Sequence, residues 1–113
     1  MSMREQTYFI LASLLDEPRH GYAIIQQVEQ LSQGSVKLAA GTLYAAIDRL
    51  HDQGYVRNVR EEVVNGRARR YYGLTSDGQA ALRAEAQRMV AAARVVTEHA
   101  RADRRGFGAA VTA

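Results

Sequence analysis

The stretch "AAGTLYAAIDRLHDQGYV", residues 39–56, has the pattern of a short amphipathic helix that ends on a glycine. Its apolar side chains recur at Leu43, Ile47 and Leu50, spaced four and then three. At about 100° per residue these three fall within about 60° of one another, on one face. Gly54 follows in the position where helices often stop on a left-handed residue. The spacing predicts a helix over 41–53 with that face buried. Ala45, Asp48, Arg49 and Asp52 point the other way.

Upstream, residues 4–15 read as a first helix with Tyr8, Leu11, Leu14 and Leu15 inward. "DEPRHG" (16–21) breaks it, because proline cannot continue a helix and glycine is permissive. Residues 21–32 read as a second helix with Ile24, Ile25, Val28 and Leu31 inward, and "SQGS" (32–35) is a turn.

Downstream the period changes. "YVRNVREEVVNGRARRYYGLT" (55–75) is rich in Val, Tyr and Arg and contains Asn65-Gly66, a strong hairpin turn signal. Residues 55–63 and 68–74 are expected to pair as antiparallel strands. Thr75 is a good N-cap for a fourth helix, which meets no breaker after Gly78. The expected architecture is mainly α with a small β-hairpin: a winged helix-turn-helix over 1–75, a long helix over 76–103 and a disordered tail over 104–113.

The chain has 113 residues, 47% hydrophobic and 24% charged, which suits one small globular domain. With no cysteine it has no disulfide framework, which fits a cytoplasmic protein. The N-terminal apolar run, Tyr8 to Leu15, is too short to span a bilayer, so no membrane role is expected. His20, His51 and His99 lack metal-like spacing, so neither metal nor cofactor is expected. No nucleophile–base set or phosphate-binding loop suggests an enzyme.

Net charge is +3, and Lys37 is the only lysine beside fourteen arginines. Residues 63–74 hold Arg67, Arg69 and Arg70 and no acid. A solvated hairpin normally mixes signs, so this one is a candidate phosphate-binding surface. Arg69 and Arg70 lie on opposite strand faces; one is expected to contact a phosphate and the other to pack or to pair with Glu61 or Glu62. Of Tyr71 and Tyr72, one is expected to enter the core.

"HGYAIIQQVEQLSQG", "GTLYAAIDRLHDQGYV" and "GRARRYYGLTSDGQAAL" together resemble the PadR family of bacterial transcriptional regulators. The single long last helix resembles its short subgroup. The resemblance implies a winged helix-turn-helix that binds DNA, a homodimer made by the last helix, repression of nearby genes, and in some members a small hydrophobic effector between subunits. Where effector-binding members can use tryptophan, this chain has none. It also departs in having Ala39-Ala40 where the family commonly has Ser-Pro, and Ala45 where it has proline. With no hydroxyl at 39, Gly41 or Thr42 is expected to cap the third helix.

If that helix docks by its N-terminal half, Thr42, Tyr44, Ala45 and Arg49 come near DNA, with Asp48 and Asp52 leaning away or helping to reject wrong partners. Tyr44 is equally a packing candidate and Thr42 a capping one. Lys37, just ahead, is a weaker phosphate candidate. In the last helix Leu82, Ala86, Met89, Ala93, Val96 and Ala100 fall at spacings of 4, 3, 4, 3 and 4, a heptad seam expected to join two subunits, the alternative cover being the chain's own first helix. Val90 and Val95 widen the seam, and Arg83, Arg88, Arg94 and Arg101 flank it. The function expected is a dimeric repressor on an inverted-repeat operator; the alternative is a winged-helix protein–protein interaction module.

Overall fold

The structure is a computed structural model that describes residues 3–112, with side chains from Met3 to Arg101. The elements run α1 (Glu5–Ala12), β1 (Arg19–His20), α2 (Gly21–Leu31), α3 (Ala40–Asp52), β2 (Val56–Val64), β3 (Arg67–Leu74) and α4 (Ser76–Thr112). The strands form one antiparallel sheet in the order β1-β3-β2.

α1 stops sooner than its apolar pattern. Ser13 turns its hydroxyl back onto the Ile10 carbonyl at 2.6 Å, and the N–H groups of Leu14 and Leu15 reach only three residues back, to Leu11 and Ala12. Such a tightened last turn rotates the next side chains out of helical phase, so Leu14 is buried while Leu15 is exposed, and Ile10 joins the core instead. "DEPRHG" is more than a break. Arg19 and His20 form β1, registered against Tyr72 and Tyr71. Arg19 anchors it, its Nε donating to the Ser13 carbonyl at 2.8 Å and its other nitrogens pairing with Asp16 and Glu17.

His20 then caps α2, its Nδ1 accepting from the Ala23 N–H at 3.3 Å. Leu31, at the far end of α2, is exposed rather than inward, and Ile25 is half-buried. The turn after α2 contributes Val36 and Leu38 to the core. It is tied by Ser32, whose hydroxyl oxygen accepts from the Val36 N–H at 3.0 Å.

α3 starts at Ala40 with Ala39 as its N-cap and no side-chain cap, so neither Gly41 nor Thr42 caps it. The Leu43 N–H bonds to the Ala39 carbonyl, so the start rests on backbone alone. Its end is fully tied. Gly54 has φ 78, its N–H meets the His51 carbonyl, and the Tyr55 N–H meets the Leu50 carbonyl, the paired bonds of a Schellman stop.

In the hairpin, Asn65 and Gly66 both take positive φ, 52 and 77, as a type I′ turn requires, and Val64 faces Arg67 across it. Thr75 accepts the Gly78 N–H on Oγ1 at 3.0 Å and so caps α4. The helix runs to Thr112, past the boundary at 103 expected from composition. Gly106 and Gly108 lower helix propensity there, but no proline bars the backbone. The side chains of the expected tail, 104–113, lie outside the described residues.

The chain forms two compact units, one up to Arg83 and one from Ala84 onward. The first therefore takes in the opening turns of α4, beyond the boundary expected at 75. Its core joins Ile10, Leu11, Ile24, Val28, Leu43, Ile47, Leu50 and Val56 with Tyr72 and Leu82. Leu82, assigned by spacing to the seam, is 4% exposed and packs inside its own chain. In the second unit Glu85 is buried and bonded to Arg88, so Arg88 is not simply a solvated rim charge. Along the same stretch Met89, Val90, Val95 and Val96 are exposed.

Candidate nucleic-acid interface

α3 presents three aspects. Leu43, Ala46, Ile47 and Leu50 are buried. Tyr44 and Asp48 look toward the hairpin, where with His20, Tyr22, Arg67 and Arg69 they line a cleft of roughly 860 Å³. Thr42, Ala45 and Arg49 look toward α1, across a smaller cleft of roughly 370 Å³ lined also by Arg4, Gln6 and Thr7.

The residues expected at DNA thus divide between two flanks of one helix. Thr42 and Ala45 are exposed, free of any capping duty. Tyr44 is 46% exposed and both packs and stays accessible: its ring lies over Gly21 at the start of α2 while one side remains open. Arg49 donates from Nη2 to the Thr7 hydroxyl at 3.3 Å. Asp48 does not lean away. It lines the hairpin cleft, where its charge helps hold the Tyr72 phenol above its ordinary pKa, behind the larger effects of burial and of Tyr44. The reason is tertiary: the hairpin folds back beside that aspect of α3.

The hairpin sorts its arginines by strand face. Arg70 sits opposite Glu61 and pairs with it at 3.3 Å, and its neighbour Tyr72 is the tyrosine that enters the core. On the other face Arg69 sits opposite Glu62. There Arg60 pairs with Glu62 at 3.5 Å and stacks its guanidinium 4.0 Å from the Tyr71 ring centroid. Tyr71 donates its hydroxyl to Glu62 at 3.3 Å and meets His20 edge-on, centroids 5.4 Å apart. Among the described residues neither Arg67 nor Arg69 has an ion pair. Lys37 reaches Glu29 at 3.9 Å with both ends exposed. Such a pair is worth about 0–1 kcal/mol and leaves Lys37 free to change partner.

His20 ties this surface together. It caps α2, packs on Tyr71 and lines the cleft. Burial lowers its pKa, the nearby Arg69 charge lowers it further, and Glu62 partly offsets both. The imidazole is accordingly neutral, as an Nδ1 that accepts a hydrogen bond must be.

Spacing alone does not single out three contributors: Tyr22, 66% exposed at the mouth of the hairpin cleft, and Arg4 and Thr7 on the α1 side. Tyr22 lies in the first turn of α2, just after Gly21; nothing in the pattern around Arg4 and Thr7 separates them from a solvated helix end. Among the described residues no group of His, Asp or Glu could hold a metal, and no helix is long and apolar enough to cross a membrane.

This geometry has relatives. The family model of the transcriptional regulator PadR-like family matches residues 10–84. A transcriptional regulator of Mycobacterium tuberculosis is 38% identical over 73 residues, which are 65% of this chain and 64% of that one. Among solved structures, a transcriptional regulator from Clostridium thermocellum superposes with a TM-score of 0.69 at 22% identity, covering 81% of this chain and 89% of that one. Bacillus subtilis PadR, solved in complex with operator DNA, superposes with a TM-score of 0.63 at 22% identity, covering 71% and 46%. At that identity the superpositions establish the shared winged-helix fold.

Proposed function

The chain belongs to the PadR-like family of transcriptional regulators, and from that premise we propose that it binds double-stranded DNA as a two-fold dimer and represses a gene at an inverted-repeat operator. The family is one of regulators rather than enzymes. The observation that carries the reading is the pairing of α3 with an arginine-bearing wing across one cleft. Thr42, Tyr44, Ala45 and Arg49 are accessible on the helix, and Arg67 and Arg69 have no acid partner on the wing. A helix of this size fits the major groove while the wing holds the phosphate backbone. The related Bacillus subtilis PadR was solved with its operator, which supports the same mode here.

The dimer rests on the second unit. Met89 and Val96 are 47% and 70% exposed, and with Ala86 and Ala93 they make an apolar seam at heptad spacing. Alanines permit close helix approach, so a second copy of α4 is the natural cover. A small hydrophobic effector, which the family resemblance implies for some members, would sit between the two subunits.

Footprinting the protein on its own upstream region tests the proposal. Two protected half-sites about one helical turn, roughly 34 Å, apart are expected. With roughly 6–10 phosphates contacted, affinity should fall by about 10³–10⁵ between 50 and 200 mM salt. A slope of log affinity against log salt shallower than about −2 contradicts DNA binding by this surface and favours a protein partner.

A further inference from the structure

We propose that the start of α1 is a second grip on DNA: Arg4 contacts the backbone on the flank of α3 away from the wing, and Thr7 is the positioning residue that aims Arg49 at the groove. The inference rests on α3 being the helix that enters the groove.

The placement follows from the turn of α3. At about 100° per residue, Tyr44 and Asp48 lie within about 40° of each other on the wing side, while Thr42, Ala45 and Arg49 lie within about 60° on the opposite flank. That second flank faces α1 across a cleft carrying Arg4 and Arg49 and no acid. The acid next to Arg4 is turned elsewhere, since the Glu5 carboxylate accepts from the Ser35 hydroxyl at 3.5 Å. Arg4 is exposed and has no ion pair among the described residues. A positive cleft without an internal counter-charge suits an external anion.

The major groove is about 12 Å wide and has a phosphate strand along each lip. A helix lying in it leaves one lip to the wing and the other to whatever stands on its far side. Here that is the start of α1. The Arg49–Thr7 bond, 3.3 Å across 42 residues of chain, crosses this junction. An unrestrained arginine loses much rotamer freedom when it binds. A guanidinium already bonded at Nη2 has less to lose and keeps its other donors for a base edge or a phosphate.

The experiment is a titration of cognate and scrambled duplexes over a salt series with Arg4→Ala, Thr7→Ala, Thr7→Ser and Arg67→Ala, each melted to confirm folding. Arg4→Ala should weaken both duplexes alike and flatten the salt slope by about one for each phosphate it no longer neutralises. Thr7→Ala should weaken the cognate duplex several-fold more than the scrambled one, and Thr7→Ser should restore it. A cognate duplex with uncharged methylphosphonates on the far lip should bind the parent more weakly but cost Arg4→Ala nothing further. If Arg67→Ala weakens binding while Arg4→Ala and Thr7→Ala leave it unchanged, the second grip is wrong and the DNA-binding reading stands. If Arg67→Ala is also without effect, both are overturned.

Discussion

The ring of Tyr44 on α3 lies directly over Gly21, the first residue of α2. A Cβ at position 21 would overlap the Tyr44 hydroxyl and stand 2.8 Å from its Cζ. The close approach joins α2 and α3 through a side chain that the proposed interface also presents to DNA. Because Tyr44 is half open, it can swing aside. Gly21→Ala should therefore melt within about 1 kcal/mol of the parent, alanine's higher helix propensity offsetting part of the displacement. Its affinity for cognate DNA should fall, because Tyr44 has moved. A variant that loses stability yet binds normally when folded would make Tyr44 a packing residue only.

Gly78 is the contrasting case. A Cβ there would overlap the Tyr55 carbonyl oxygen and stand 2.9 Å from its carbon. That peptide cannot yield easily: its oxygen accepts the Thr75 N–H at 3.1 Å, and the Tyr55 N–H closes the α3 stop at 2.9 Å. Gly78→Ala should cost about 1–3 kcal/mol in urea unfolding, as forced overpacking does.

Acid should loosen the start of α2. The folded state holds the His20 pKa below its ordinary 6.5, so the unfolded chain takes the proton first. Stability is then full above the ordinary histidine value, declines as pH falls below it, and levels off once pH passes the lower folded pKa. Protonation also ends the Nδ1 cap and sets a cation at the positive end of a helix. His20→Asn should retain a cap and flatten this pH dependence, and His20→Ala should cost about 0.5–2 kcal/mol at neutral pH. Thermal melts from pH 8 to 5 decide it; a parent no less stable at the acid end contradicts the assignment.

What was legible in the sequence was whatever obeys a local rule. The Asn65-Gly66 turn, the stop at Gly54 and the Thr75 cap each depend on a few adjacent residues, and all three form as expected. So does the buried face of α3. What was not legible depends on partners far along the chain. β1 is two residues long and exists because Tyr71 and Tyr72 lie beside it. Asp48 faces the cleft because the hairpin folds back, and Arg49 meets Thr7 because α1 packs nearby. Leu82 fits the heptad but lies where the first unit's core reaches α4.

The seam supplies a prediction of its own. Met89→Glu would place one charge per subunit in the proposed interface, at a cost of several kcal/mol. Sedimentation should then find monomer and DNA affinity should drop, because two linked half-sites become one. A parent chain already monomeric at micromolar concentration would remove the basis for the dimer.

The central claim, that α3 reads bases while the wing holds phosphates, is tested most directly by comparing Arg49→Ala with Arg67→Ala on cognate and scrambled duplexes. Arg67→Ala should weaken binding to both alike and flatten the salt slope by about one for each phosphate left without its arginine. Arg49→Ala should cost about 1–3 kcal/mol on the cognate site alone, with specificity relaxed at one position in each half-site. Both proteins should melt near the parent, whereas Leu43→Ala should lose about 2–5 kcal/mol of stability. Unchanged affinity in both folded arginine variants would contradict the account and leave α3 a surface for a protein partner.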